Sequence, residues 1–288
     1  MPRPFASTLL AALLVCPAFS STSAAAQAPR AVAPATPVAP GPTYADLADL
    51  ADRAPLVARV QIRDVVRLKS EQAPGLRPGT ARIFVKARTR AVLVGEALGE
   101  SVSYLADVAL TAKGKLPKLE KRDVLIFARA VAGRPGELQL VAPDAQLGWD
   151  PTLEARVRAI LTELVAPGAP PRVTGVREVS YVPGNLVGEG ETQIFLSTQA
   201  GDPVSITVLR RPGQAPTWGV AFGEIVDQAA RPPARDTLAW YRLACFLPNA
   251  LSTATILAGD GDARRRAAED YRYVRGQLGA CPRTRSAG

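Results

Sequence analysis

The chain has 288 residues, 47% of them hydrophobic and 21% charged, which is enough apolar material for one large domain or two small ones. Its 35 lysines and arginines against 26 acidic residues leave a formal net charge of +9, a balance that favours anionic partners and says nothing of fold. It contains no histidine, which excludes Ser-His-Asp and Cys-His nucleophilic catalysis and every zinc site built on imidazole.

The N-terminal stretch MPRPFASTLLAALLVCPAFSSTSAAAQAPR is laid out as a secretory signal peptide. Arg3 supplies the positive region, residues 8–19 the apolar core, and Ala24-Ala25-Ala26 the small-residue cleavage site. Residues 1–26 are thus expected to be removed on export, leaving the mature protein periplasmic or extracellular. Val15 before Cys16 does not suit a lipoprotein anchor. No later stretch reaches 18 consecutive apolar residues, so no membrane span is expected in the mature chain. Residues 27–42, QAPRAVAPATPVAPGP, read as an Ala/Pro-rich disordered linker with a reach of about 50 Å at roughly 3 Å per residue.

Order is expected from Thr43. Thr43 and Asp46 have capping-box spacing, and Tyr44, Leu47 and Leu50 recur at helical period up to Pro55. In LVARVQIRDVV, Leu56, Ala58, Val60 and Ile62 alternate with Arg59, Gln61 and Arg63, the pattern of a strand with one wet face. After a turn-rich loop, Ile83, Val85 and Ala87 alternate with Arg82, Lys86 and Arg88. Further strands are expected over residues 100–108, 123–131 and 137–144. Asp150 and Pro151 then open a helix whose stripe is Leu153, Val157, Ile160, Leu161 and Leu164. The break APGAPPR places a boundary near residue 167, which defines a first domain over 43–166 and a second over 167–288.

Helix, five strands and helix within the first domain suit a small closed or half-closed barrel. The segments ADRAPLVARVQI, VKARTRAVLVGEALGESVSYL and KRDVLIFARA, within residues 47–145, resemble the OB-like barrels of the netrin and metalloproteinase-inhibitor type. Those inhibitors depend on an N-terminal cysteine and several disulfides that this chain does not have, so the resemblance implies a barrel and not protease inhibition. In the second domain, ETQIFLSTQ and PVSITVLRR form a hairpin across Ala200-Gly201-Asp202, with flanking strands at VREVSYVPG and at residues 218–226. The expected class is α+β, mainly β: an OB-like antiparallel barrel, then an antiparallel sheet capped by C-terminal helices. The stretch DTLAWYRLACFLP, with Asp236 as cap, is the first candidate to cover the second sheet.

Four groups of residues have chemistry to weigh. Glu189, Glu191, Glu224 and Asp227 would serve a carboxylate-dependent glycan hydrolase if they faced one another across a cleft. Arg264, Arg265, Arg266, Arg272 and Arg275 concentrate basic charge near the C-terminus as a candidate polyanion-binding group, although Glu269 and Asp270 interrupt it. Ala263, Ala267, Tyr271, Val274 and Leu278 form the apolar stripe of the same helix. In GDGDA, residues 259–263, the calcium-loop pattern fails at Arg264 and Tyr271, leaving a turn with Asp262 as helix cap. Trp149 and Trp218 are the candidates for an exposed aromatic patch.

Once Cys16 leaves with the signal, Cys245 and Cys281 remain, too few for tetrahedral zinc and matched for one disulfide. That bond would close a loop of about 36 residues and stabilise by roughly 3–4 kcal/mol. Both cysteines fall at the C-terminal ends of their helices, so the intervening NALSTATILAG must bring the chain back to hold the Cα atoms within about 7 Å. No cofactor and no metal ion is expected. The expectation is an exported, non-enzymatic binding or accessory protein of the bacterial envelope, acting on an unidentified protein or an anionic envelope component rather than on nucleic acid.

Overall fold

A computed structural model describes residues 41–223, 230–257 and 259–285. The chain opens with helix α1 (Tyr44–Arg53), started by the capping box: the Thr43 hydroxyl accepts from the Asp46 N–H, and the Asp46 carboxylate accepts from the Thr43 N–H at 2.9 Å. Its buried side includes Leu47 and Leu50, two of the three residues of the expected stripe.

Six antiparallel strands follow: β1 (Leu56–Arg67), β2 (Thr80–Val94), β3 (Ser101–Ala109), β4 (Asp123–Ala130), β5 (Leu138–Leu140) and β6 (Gln146–Gly148). The order is β3-β2-β1-β4-β5, with β6 also on β4. Ala58, Val60 and Ile62 of β1 and Ile83, Val85 and Ala87 of β2 turn inward, as their alternation requires. Three register shifts between β1 and β2 bend these long strands. The sheet curls far enough for Ser103 of β3 to bridge Glu137 in parallel, while the Asp107 N–H reaches the Pro143 carbonyl at 2.7 Å. No closed barrel forms among the described residues. With only three residues, β5 is too short to ladder along the nine of β3. The stretch expected as one strand over 137–144 is instead β5 and a turn, and β6 was not foreseen, because three residues show no readable alternation.

Helix α2 (Pro151–Val165) begins at Asp150, whose carboxylate accepts from the Leu153 N–H at 2.9 Å, and it buries Leu153, Val157, Ile160 and Leu161. The chain then enters a four-stranded antiparallel meander of β7 (Val173–Pro183), β8 (Gly190–Thr198), β9 (Val204–Arg210) and β10 (Thr217–Phe222). Helix α3 (Leu238–Ala244) packs among α1, α2 and the last helix, α4 (Gly261–Leu278). The cover of the second sheet is α4, which lies on β7 and β8 through Ala267, Tyr271 and Val274. Length decides this correction: seven residues make about 10 Å of helix, whereas eighteen make about 27 Å, enough to cross four strands. The other face of this sheet is approached by Ala230, whose carbonyl lies 2.1 Å from where a Cβ on Gly219 would be, so only glycine fits there. The caps also moved, with Thr237 starting α3 in place of Asp236 and Asp260 starting α4 in place of Asp262. The break expected near residue 167 falls between α2 and β7, and the described residues belong to one compact unit.

Buried charge ties the layers together. Asp270 of α4 is fully buried and accepts from Arg210 Nε at 2.7 Å and from the Thr192 hydroxyl. Residues 282–285 lace back onto α1: Arg283 pairs with Asp49 at 2.6 Å, and Thr284 and Arg285 donate to Asp46. Burial alone would raise the Asp46 pKa. The Thr284 hydroxyl and N–H, with the Thr43 and Arg285 N–H groups, outweigh it and hold the carboxyl at about 2, below its ordinary 3.8. A depressed carboxyl contributes stability that is present above pH 3.8 and is lost as pH falls through about 2. The thermal midpoint is therefore expected to drop between pH 4 and pH 2, and Asp46→Asn should lower it at pH 7 while flattening that drop. A variant as stable as the parent at pH 7 refutes this role.

Candidate binding face

The residues singled out from sequence are placed as follows. Cys245 and Cys281 form a disulfide with Cα atoms 5.2 Å apart. The intervening chain does run back, touching β7 where Ile256 bridges Val179 in parallel before α4 begins. Around the bond, Trp240 donates to the Leu278 carbonyl at 2.9 Å, Tyr241 donates to Asp49 at 2.6 Å, and the Tyr241 and Phe246 rings meet edge to face at 5.2 Å. Burial, with the Asp49 hydrogen bond adding to it, pushes the Tyr241 phenol upward in pKa. This cluster is core.

Of the four candidate carboxylates, Glu189 accepts the N–H groups of Asn185 and Leu186 at 3.1 and 3.2 Å and closes the β7–β8 turn, while Glu191 accepts from the neighbouring Gln193 amide. Glu224 and Asp227 lie outside the described residues. On α4, Arg265 and Arg266 pair with Asp262 and Glu269, and Arg272 donates to the Ala268 carbonyl at 3.3 Å. Arg264 is exposed beside them, and Arg275 donates to the Ala244 carbonyl at 3.0 Å at the end of α3. Trp218 is buried, and Trp149 lies under the Arg59 guanidinium, 4.7 Å from its ring centre. Neither tryptophan forms an exposed patch. Among the described residues no three Cys, Asp or Glu side chains converge to hold a metal ion, and no helix is long and apolar enough to cross a membrane.

The open surface lies on the outward side of the first sheet. Along β2, Arg82, Phe84, Lys86 and Arg88 alternate with buried Ala81, Ile83, Val85 and Ala87, so the four share one face. Pairing then sets their neighbours. Phe84 stands between Val66 of β1 and Leu105 of β3, which are 52% and 46% exposed, making an apolar row across three strands. Lys86 stands between Asp64 and Ser103, and Arg88 between Gln61 and Ser101. Arg82 is held by Asp107 through two bonds of 2.7 and 2.9 Å, which raise its pKa above the ordinary value despite partial desolvation. Arg88 meets Glu100 at 2.9 Å, and Arg90, at a bulge, donates back to the Gln61 amide oxygen at 2.8 Å.

Beside the apolar row is a groove of about 620 Å³, where β3 and β5 diverge, lined by Phe84, Leu105, Val131, Gln139, Val141 and Pro143 among others. A second hollow of about 840 Å³ lies at the β1–β2 connection, with Arg67, Lys69 and Leu76 in its wall. Sequence alternation had marked Arg82, Lys86 and Arg88 as a wet face. It could not show Val66 and Leu105 coming to flank Phe84, because cross-strand register is not written in one strand. No protein-family model matches the chain, and no curated protein matches its sequence.

Proposed function

We propose that the chain is an exported, non-enzymatic binding protein of the bacterial envelope whose ligand surface is the outward face of the first sheet. The observation that carries this is the row Val66–Phe84–Leu105, standing open beside a groove of about 620 Å³. Exposed apolar rows bordered by polar residues mark contact surfaces, and that volume is within the range of ligand sites. The signal-like N-terminus and the pairing of both remaining cysteines support an oxidising compartment. The strand order β3-β2-β1-β4-β5, with a parallel contact between β3 and β5, supports reading residues 43–166 as a partly open OB-like barrel. Residues 167–288 then act as a second module that fastens the helices through the disulfide. Titration against purified envelope glycans, lipid vesicles and envelope proteins is expected to give saturable binding to one of them. Leu105→Asp should weaken that binding at least about tenfold, the size of a contact at the centre of an interface. Binding that ignores Leu105→Asp, or no binding to any of the three, overturns the proposal.

A further inference from the structure

Resting on that reading of the outward face, we infer that its ligand is a linear anionic glycan, tracked along β2 by Lys86, Arg88 and Arg90 with a sugar ring seated on Phe84. Alternate residues of a strand stand about 6.8 Å apart, which sets the spacing of Lys86 and Arg88 on the outward side, and Arg90 follows them at the bulge where the pairing with β1 shifts. Lys86 has no ion-pair partner among the described residues, and its cross-strand neighbours are Asp64 and Ser103. Arg88 shares its charge with Glu100, but their side chains are 46% and 73% exposed, and pairs that open to water contribute little and exchange readily for a ligand anion. Arg90 donates to the neutral amide oxygen of Gln61 and has no ion-pair partner among the described residues. Arg82 differs, because Asp107 holds it on two sides, so it supports the face without offering charge.

The same line carries Phe84 with Val66 and Leu105 on either side, a flat apolar bed of the kind that packs against the C–H face of a pyranose ring. Neutral glycan would leave three cations unused. Single-stranded nucleic acid is favoured by successive aromatic platforms, one per base, and this face has one aromatic side chain. On α4 the arginines are interleaved with carboxylates of the same helix: Asp262 and Glu269 pair with Arg265 and Arg266 in contacts as open to water as that of Arg88, and Arg275 is bound to the end of α3. What sets β2 apart is that its outward cations share one strand with Phe84 and the apolar row beside it.

The test is isothermal titration of the full chain with a size-defined sulfated oligosaccharide, neutral dextran and oligo-dT as probes. The sulfated probe should bind, with affinity falling at least about tenfold between low and high salt as screening shortens. Dextran and oligo-dT should bind at least about tenfold more weakly. The triple variant Lys86→Glu/Arg88→Glu/Arg90→Glu should abolish binding, and the Gln versions at the same positions should lose it partly. Phe84→Ala should weaken binding without changing its salt dependence, and Arg265→Glu/Arg266→Glu should leave it unchanged. Preferential binding of dextran or oligo-dT, or loss through the α4 variant in place of the β2 variants, overturns the inference. If Leu105→Asp abolishes binding of some other envelope ligand while the β2 charge variants do not, the binding face stands and the anionic-glycan ligand fails. If neither set of variants matters, both fail.

Discussion

Arg242→Ala is expected to destabilise the protein by about 3–5 kcal/mol, the loss that follows when one partner of a buried ion pair is removed and the other is left behind. Arg242, on α3, is 3% exposed and forks onto both oxygens of Asp52, on α1, at 2.8 and 2.9 Å. Its Nε donates to the Pro170 carbonyl at 3.1 Å in the connection between α2 and β7. Arg172, from the same connection, also reaches Asp52, at 2.7 Å. One guanidinium thus joins α1, α3 and the link between the two sheets. Burial would raise the Asp52 pKa, but the hydrogen bonds and charge of Arg242, then of Arg172, overcome it and lower the carboxyl below its ordinary 3.8. Its contribution is present above that value and is lost as pH falls through the lowered one. Arg242→Lys should also lose stability, because an ammonium cannot make the two-pronged contact. Arg242→Met combined with Asp52→Leu should cost less than the sum of the single changes, since no charge is then stranded. Urea denaturation measures all of these. A loss below about 1 kcal/mol in Arg242→Ala would show that Arg172 and water suffice to satisfy Asp52.

Cys245→Ser/Cys281→Ser is expected to cost about 4 kcal/mol, the loop-closure entropy of a span with sequence separation 36. The bond holds the end of α3 to the stretch after α4, and from there residues 282–285 run onto α1. Loss of the bond should therefore first loosen the C-terminal contacts with Asp46 and Asp49. Hydrogen exchange of the Thr284 and Arg285 amides, compared with amides of β1, separates that local opening from global unfolding. Equal acceleration in both places, or a double variant as stable as the parent, refutes this account.

Where local chemistry repeats, the sequence was legible. The Thr43–Asp46 box and the Asp150-Pro151 start opened helices where expected, because capping needs only four neighbouring residues. The alternation through Ile83, Val85 and Ala87 assigned the buried side of β2 correctly. The disulfide was legible by counting, since the expected export leaves two cysteines. Less was legible where several cap residues lie together: Asp236 and Asp262 were chosen over Thr237 and Asp260, one or two positions away.

Asp46, Asp49 and Asp52 recur every three residues on α1, and beyond the capping role of Asp46 the sequence assigned them nothing. Each is claimed by groups more than 110 residues distant: Thr284 and Arg285, Arg283 with Tyr241, and Arg242 with Arg172. The binding face shows the same division. Composition and alternation by themselves determined the mainly β class, the inward sides of β1 and β2, the excluded chemistries and the single disulfide. Tertiary structure alone decided that Val66 and Leu105 flank Phe84, that β3 and β5 diverge into a groove, and that Arg82 is locked onto Asp107 while Lys86 beside it has no ion-pair partner among the described residues. The reason is physical: propensity, capping and burial periodicity act over a few residues, whereas register, ion pairing and groove shape arise between segments that meet only after the chain has packed.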